Sequence, residues 1–280
     1  MLTQEQVSQY EADGYLVLDR LFDEEEVRQI RAFAHRDLAM DSPRRTLETG
    51  SGLVRATHGT HQVDPFFADL VCLPRILEPA RQLLGGDVYV HQFKINAKAA
   101  LGGELWEWHQ DSYFWSREDG MPEPLAINVV LHLDEVTDFN GPLLVVPGSH
   151  RDGDVPTLDA ADPADSAAAG WETTLTAKLK YRIDPKAFTT LVDENGMRAV
   201  KGGAGTVLLF HPALVHGSTS NLSPYDRCLL IVSYNLCANR LRAVSQPRPE
   251  FLASRDFTPL VPMAEVHFPN HLFPSVGSAR

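Results

Sequence analysis

The sequence predicts a mainly β domain with flanking helices, its strands arranged as an antiparallel sandwich or barrel. From Asp87 onward, runs rich in β-branched and aromatic residues recur at 87–97, 105–111, 125–133, 143–146, 204–210 and 227–236, with Gly, Pro and Asn between them. The first 86 residues show helical periodicity instead. No repeat and no composition shift marks a second domain. The 280 residues, 44% of them hydrophobic, are therefore read as one domain with one substantial core.

Taken in order, the helical flank at 1–86 contains two well-marked helices. Asp23 followed three residues later by Glu26 is a capping-box start, and Val27, Ile30, Phe33 and Leu38 then recur at helical spacing, giving a helix over about 24–39. Pro74 suits a first helical turn and Gly85-Gly86 suits a helix end, giving a second over 74–84. The β core follows at 87–240. Within it, 151–203 opens with Asp, Pro and Ala-rich sequence, lacks strand alternation and is too long for a turn, so it is read as a lid over a site. The final segment, 241–280, is rich in proline and is expected to lie extended over the body of the domain.

Composition narrows the function. A formal net charge of −12 disfavours a phosphate backbone as partner, because nucleic-acid affinity comes largely from clustered Lys and Arg. No run approaches the ~20 apolar residues needed to span a bilayer, and the first residues lack signal-peptide character. A soluble cytoplasmic protein, monomeric or homodimeric, with a small-molecule partner is expected. Cys72, Cys228 and Cys237 show no paired spacing and are read as ordinary thiols.

In Trp106-Glu107-Trp108-His109-Gln110-Asp111, an extended chain places His109 and Asp111 on the same side, bringing one imidazole and one carboxylate to a common point. A third ligand must come from afar. His216, in Leu214-Val215-His216-Gly217-Ser218, is the best candidate, with His211 as its competitor and His91 and His132 read as structural. Two His and one carboxylate on one face of an octahedron leave three positions open, which suits non-haem iron(II) oxygenases. Arg227 opens an apolar run, Arg227-Cys228-Leu229-Leu230-Ile231-Val232, where an arginine needs an anionic partner. Its planar fork matches a carboxylate, such as one end of a metal-bound dicarboxylate.

Together these residues resemble the phytanoyl-CoA dioxygenase superfamily, with its WHxD, HGSxxN and following Arg pattern. The resemblance runs from Asp13-Gly14-Tyr15 to Arg248-Pro249-Glu250. His91-Gln92-Phe93-Lys94-Ile95-Asn96, Glu118-Asp119-Gly120-Met121-Pro122 and Asn140-Gly141-Pro142-Leu143 resemble the branch of ectoine hydroxylases and hydroxylases of free amino acids such as leucine.

That resemblance implies a double-stranded β-helix core of jelly-roll or cupin-like type. It implies iron(II) as metal and 2-oxoglutarate and O2 as cosubstrates, with His109, Asp111 and His216 as iron ligands. Arg227, assisted by Ser218, would hold the distal carboxylate of 2-oxoglutarate, Gln92 and Asn128 match cosubstrate contacts, and Trp115 and Arg248 match positions near the substrate. The retained Asp111 implies hydroxylation rather than halogenation. Asn128 stands where the ectoine branch usually has serine, and His109-Gln110-Asp111-Ser112-Tyr113-Phe114 departs from its HSDFET run. The resemblance therefore points to a free aliphatic L-amino acid, leucine-like, with Arg248 meeting its carboxylate. Hydroxylation of ectoine or of a natural-product intermediate is the alternative. A cupin-type metal hydrolase or isomerase, or a noncatalytic binding protein, is the alternative of another class; the first leaves Arg227 and the His216-Gly217-Ser218 segment without a role, and against the second stand all three ligands and the arginine.

Overall fold

The computed structural model describes residues 1–158, 171–175 and 177–263. The N-terminal helices are α1 (Gln4–Asp13), α2 (Glu24–Ala39), α3 (Pro65–Leu70) and α4 (Pro74–Leu84). The capping box at the start of α2 is present, with Asp23 accepting from the Glu26 backbone and Glu26 accepting from the Asp23 backbone. Helix α4 ends where Gly85 turns left-handed. Both helices have the predicted limits.

The chain also forms three short strands that the sequence does not reveal, β1 (Tyr15–Leu18) before α2, and β2 (Arg45–Leu47) and β3 (Val54–His58) after it. The predicted strands follow as β4 (Val88–Lys98), β5 (Trp106–His109), β6 (Ala126–His132), β7 (Leu143–Val145), β11 (Val207–Phe210) and β13 (Arg227–Leu236). The stretch 151–203 is more structured than a lid. It contributes a two-stranded ribbon, β8 (Thr157–Leu158) with β9 (Arg182–Ile183), then helix α6 (Pro185–Asn195) and strand β10 (Arg198–Val200). Part of the lid expectation, 159–170, and the end of the C-terminal extension, 264–280, lie outside the described residues.

Two antiparallel sheets form the body. The larger has the order β1-β11-β6-β13-β4-β3-β2, and the smaller has β10-β7-β12-β5, where β12 is His216–Ser218. This is the expected jelly-roll type of core. Side chains alternate across the larger sheet. Ile127, Val129, Leu131, Val207, Leu209, Cys228, Leu230 and Val232 pack with Ile30, Phe67 and Leu77 of the helices. Asn128, Val130, His132, Leu208, Phe210, Arg227, Leu229 and Ile231 line a cavity on the other side.

In β4 the pairing with β13 shifts between Ser233–Gln92 and Tyr234–Val90, leaving His91 as an extra residue. Such a bulge re-aims side chains near functional sites. Val88 and Val90 before it, and Phe93 and Ile95 after it, all reach the helical core, while Gln92, Lys94 and Asn96 reach the cavity. The C-terminal segment runs along the sheet without regular structure, tied by Ser254 N–H to the His91 carbonyl and Leu260 N–H to the Val88 carbonyl. All three cysteines are free. Among the described residues, no helix is long and apolar enough to cross a membrane.

Three histidines are deeply buried in the larger sheet, His58, His91 and His132. Burial lowers His58 from 6.5 to about 3, aided by Lys94 and Arg248, and lowers His132 to about 4, aided by Arg227. The unfolded chain takes up these protons near pH 6.5 and the folded chain only at about pH 4 or below, so between those values stability falls as pH drops. Chemical denaturation of the metal-free protein should lose at least about 1.4 kcal/mol per pH unit from this source on going from pH 6 to pH 5. A flat profile over that interval contradicts the burial of neutral histidine.

Candidate active site

His109 closes β5, and His216 opens β12 directly opposite it, since the two are paired residues of adjacent strands. Their rings lie 4.2 Å apart between centroids. Asp111 does not continue the strand, as the sequence suggests it should. Gln110 is extended, and Asp111 is the first residue of a helical turn, α5 (Asp111–Phe114). The His-x-Asp spacing still converges, because the one intervening extended residue puts both side chains on the same side.

His109 Nε2 lies 3.7 Å from Asp111 Oδ1, and His216 Nε2 lies 3.8 Å from Asp111 Oδ2. Two metal–ligand bonds of about 2.1 Å each span such gaps. His109 Nδ1 donates to the Glu107 carbonyl at 2.6 Å and His216 Nδ1 donates to the Leu214 carbonyl at 2.9 Å. A carbonyl can only accept, so both Nδ1 atoms carry the proton and both Nε2 lone pairs face the site. Burial lowers His216 to about 4, which keeps it neutral. Although its own burial opposes ionisation, Lys94, His216 and His109 hold the Asp111 carboxyl well below the usual carboxylate range. Neutral imidazoles and an ionised carboxylate are the protonation states that metal binding requires. The donor set and its geometry fit a divalent first-row metal with an open face.

Asn128, expected at the cosubstrate, uses its amide differently. Its Nδ2 donates to Asp111 Oδ2 at 2.8 Å, and its Oδ1 accepts from Ser233 Oγ at 2.6 Å. It orients the carboxylate ligand, held in turn by a serine that the sequence does not single out. A serine in place of Asn128 could not bridge these two groups in the same way.

Arg227 lies at the other end of the cavity, buried at 3% exposure. It pairs with no carboxylate among the described residues, and its Nε has no hydrogen-bond partner. Burial lowers it to about 10, so it stays charged. Opposite it on β4 is Lys98, lowered to about 6 by burial and by Arg227 and Arg55. Lys98 Nζ donates to Ser218 Oγ at 2.8 Å and to the Thr219 carbonyl. Gly141 is left-handed, and a Cβ there would meet Lys98 Cδ and the Thr219 oxygen at 2.7 Å, so a side chain would displace this lysine. Asn221, last of the His-Gly-Ser-x-x-Asn run, binds the Lys98 and Tyr225 carbonyls and fixes the turn leading to Arg227.

Gln92 and Asn96 also line the cavity, with Gln92 Nε2 and Asn96 Oδ1 buried and unpartnered. Trp115 is both cavity wall and core, at 1% exposure and edge-on to His91 with centroids 5.0 Å apart. Arg248 reaches the cavity from the C-terminal segment, but its Nε and Nη2 are held by Asp119 at 2.7 and 2.6 Å. The expected role of Arg248 at a substrate carboxylate would fall to the other edge of its fork. Gly120, left-handed next to Asp119, allows close docking of this segment, because a Cβ there would strike the Arg242 carbonyl oxygen at 2.3 Å.

The sequence reading missed Lys94, Asn96, Lys98, Asp119 and Ser233. Period-two alternation from Gln92 would have found three of them, since 92, 94, 96 and 98 share one side of a strand. It also missed Arg55, which binds Glu48 at 2.6 Å and stacks over the cavity residue Trp106 at 3.8 Å.

Comparison with known proteins agrees with this geometry. The family model for phytanoyl-CoA dioxygenase matches residues 10–228. The chain belongs to the phytanoyl-CoA dioxygenase family. It is 43% identical over 254 residues to an L-proline trans-4-hydroxylase of Streptomyces griseoviridis, covering 91% of this chain and 93% of that protein. It is 37% identical to an ectoine dioxygenase of Nocardia farcinica, covering 91% and 86%. The crystal structure of EctD from S. alaskensis with 2-oxoglutarate and 5-hydroxyectoine superposes with a TM-score of 0.79 at 32% identity, covering 94% of this chain and 87% of that one. With a cluster of His109, Asp111 and His216 that could hold a metal, this family member is a non-haem iron(II)- and 2-oxoglutarate-dependent dioxygenase.

If Asn128 orients Asp111, then Asn128→Ala should weaken iron(II) binding on the order of tenfold to a hundredfold, with the folded signal unchanged, by metal titration under nitrogen. Unaltered metal affinity rules the role out.

Proposed function

We propose that this protein hydroxylates an unactivated C–H bond of a free zwitterionic amino acid, with L-proline as the first substrate to test. 2-Oxoglutarate is converted to succinate and CO2 in the same turnover. One observation chiefly supports the cosubstrate's placement: the buried guanidinium of Arg227 forms no ion pair with a carboxylate among the described residues, and its Nε has no hydrogen-bond partner. A charge in that setting calls for a carboxylate, and a dicarboxylic acid supplies one at the far end of the chain that chelates the metal. Ser218, held by Lys98, adds a hydroxyl at the same end.

His109, Asp111 and His216 would hold iron(II), which supplies the activation of O2 when bound. Gln92, with an unpartnered amide nitrogen, would donate to the cosubstrate or to the substrate beside it. Asn128 would act on the cosubstrate through Asp111. Trp115 and the open edge of Arg248 would bound the substrate, which must be fixed closely because a misplacement of about 1 Å costs on the order of a hundredfold in rate. A relative named for L-proline at 43% identity supports testing a cyclic amino acid ahead of leucine. Ectoine is the second reading, supported by the ectoine dioxygenases at 37% identity and below. The enzyme is assigned to the cytoplasm, with its small-molecule substrates, and acts as a monomer or homodimer.

The test is anaerobic loading with iron(II) and 2-oxoglutarate, then oxygen with L-proline, L-leucine or ectoine, scoring succinate and a product heavier by one oxygen atom. Stoichiometric succinate and hydroxyproline are expected, and Arg227→Lys should raise the KM for 2-oxoglutarate by about a hundredfold, or 2–3 kcal/mol. Product from another member of the panel reassigns the substrate. No succinate with any of them refutes the function.

A further inference from the structure

At the end of the cavity where Arg227 stands, Ser218 presents a hydroxyl whose one side-chain partner among the described residues is Lys98. Lys98 Nζ donates to Ser218 Oγ at 2.8 Å and to the Thr219 carbonyl. Lys98 is buried and is not part of the cavity wall, so it reaches a ligand there through Ser218. Its stem is packed against Gly103 and Gly141, where an added Cβ would come within 2.7 Å of Lys98 Cβ and Cδ respectively. Two glycines and two acceptors thus hold the amine in one place.

The direction of the Ser218 proton depends on the charge of that amine. An ammonium has three hydrogens and no lone pair, so Ser218 Oγ can only accept from it, and the hydroxyl proton must turn elsewhere. A neutral amine can accept the Ser218 proton and draw it away from the cavity. From β13, Lys98 faces its cross-strand partner Arg227, with Asp226 beside it holding the Ala100 N–H. From β3 it faces Arg55, which pairs with Glu48 at 2.6 Å and has Glu104 at 3.9 Å. From β12 and the turn after it come the uncharged Ser218, Thr219 and Asn221. Burial, Arg227 and Arg55 lower Lys98 to about 6, while Glu48 raises it. A carboxylate arriving beside Arg227 and Ser218 offsets that repulsion and favours the ammonium.

We propose that Lys98 is a positioning residue for the cosubstrate: by donating to Ser218 Oγ, its ammonium turns the Ser218 hydroxyl proton toward the distal carboxylate of 2-oxoglutarate. The inference rests on the placement of that carboxylate at Arg227 proposed above and deepens it. Binding of the dicarboxylate is then accompanied by uptake of a proton from solvent at Lys98. In the ligand-free protein the amine loses its proton as pH rises through about 6, and in the complex it does so at a higher pH. Between those two values the affinity for 2-oxoglutarate therefore falls as pH rises.

The test is titration calorimetry of 2-oxoglutarate into iron(II)-loaded protein under nitrogen, in two buffers of different ionisation enthalpy, which counts the protons taken up. The wild type should take up protons and bind more weakly as pH rises from about 6.5 to about 8.5. Lys98→Met should bind 2-oxoglutarate about tenfold more weakly and take up fewer protons, and Ser218→Ala should lose a similar factor. The double variant should be no weaker than the weaker single variant, because each residue acts through the other. Iron(II) affinity should be unchanged in all three, which shows that they are folded. Losses that multiply in the double variant, or proton uptake that is unchanged in Lys98→Met, overturn this inference and leave the cosubstrate placement standing. So does a wild-type affinity that stays constant over that pH range, a result that needs no variant to fold. Full affinity for 2-oxoglutarate in both Ser218→Ala and Arg227→Lys removes the cosubstrate placement, and this inference with it.

Discussion

The site depends on one constraint, the alternation of side chains across β13 between its two neighbours β4 and β6. Every second residue of β13 is committed to the helical core, so the residues between them must face the cavity. Arg227 lines the cavity and Ser233 reaches the cavity residue Asn128 for that reason, and a slip of one position would bury them among Ile30, Phe67 and Leu77 instead. The sheet fixes polar groups at chosen depths, while the hydrophobic layer behind it supplies the stabilisation that makes such placements tolerable.

The cavity sorts charge along its length. Arg227 and Lys98 are paired at one end, Lys94 opposite Ile231 lies further along the same two strands, and Gln92, Ser233 and Asn128 follow at the level where Asn128 holds Asp111 of the His109, Asp111 and His216 cluster. Each buried ionic group that has a partner within the protein is locked: Arg248 by Asp119, Arg55 by Glu48, Lys98 by Ser218 and the Thr219 carbonyl. Arg227, without such a partner among the described residues, is the one to which a ligand is assigned. Uncompensated buried charge costs folding stability, so its presence in the cavity is better explained by binding than by architecture.

Much of this was legible in the sequence, for identifiable reasons. The α2 and α4 helices carry their caps and breakers in the chain, and β13 is a continuous apolar run opened by an arginine. His109 and Asp111 are neighbours in sequence, and His216 and Arg227 follow in a recognisable pattern. The short strands β1, β2 and β3 were not legible, because three to five residues at a sheet edge carry too little alternation to stand out. Helix α6 was missed within 151–203 even though Asp184 and Pro185 form an ordinary helix start. The Arg248–Asp119 pair joins residues 129 positions apart and could not be read from either one alone. That pair leaves one edge of the Arg248 guanidinium for the role at the substrate that the sequence suggests.

The claim that Arg227 is a buried cation awaiting the cosubstrate is tested most directly by thermal unfolding of Arg227→Met with and without 2-oxoglutarate, in the presence of metal. Removing an uncompensated buried charge should leave the ligand-free variant at least as stable as the wild type, while the rise in Tm that 2-oxoglutarate gives the wild type disappears. A ligand-free variant that is clearly destabilised and still gains the full rise in Tm from 2-oxoglutarate would show that Arg227 is a structural residue and that the cosubstrate is held elsewhere.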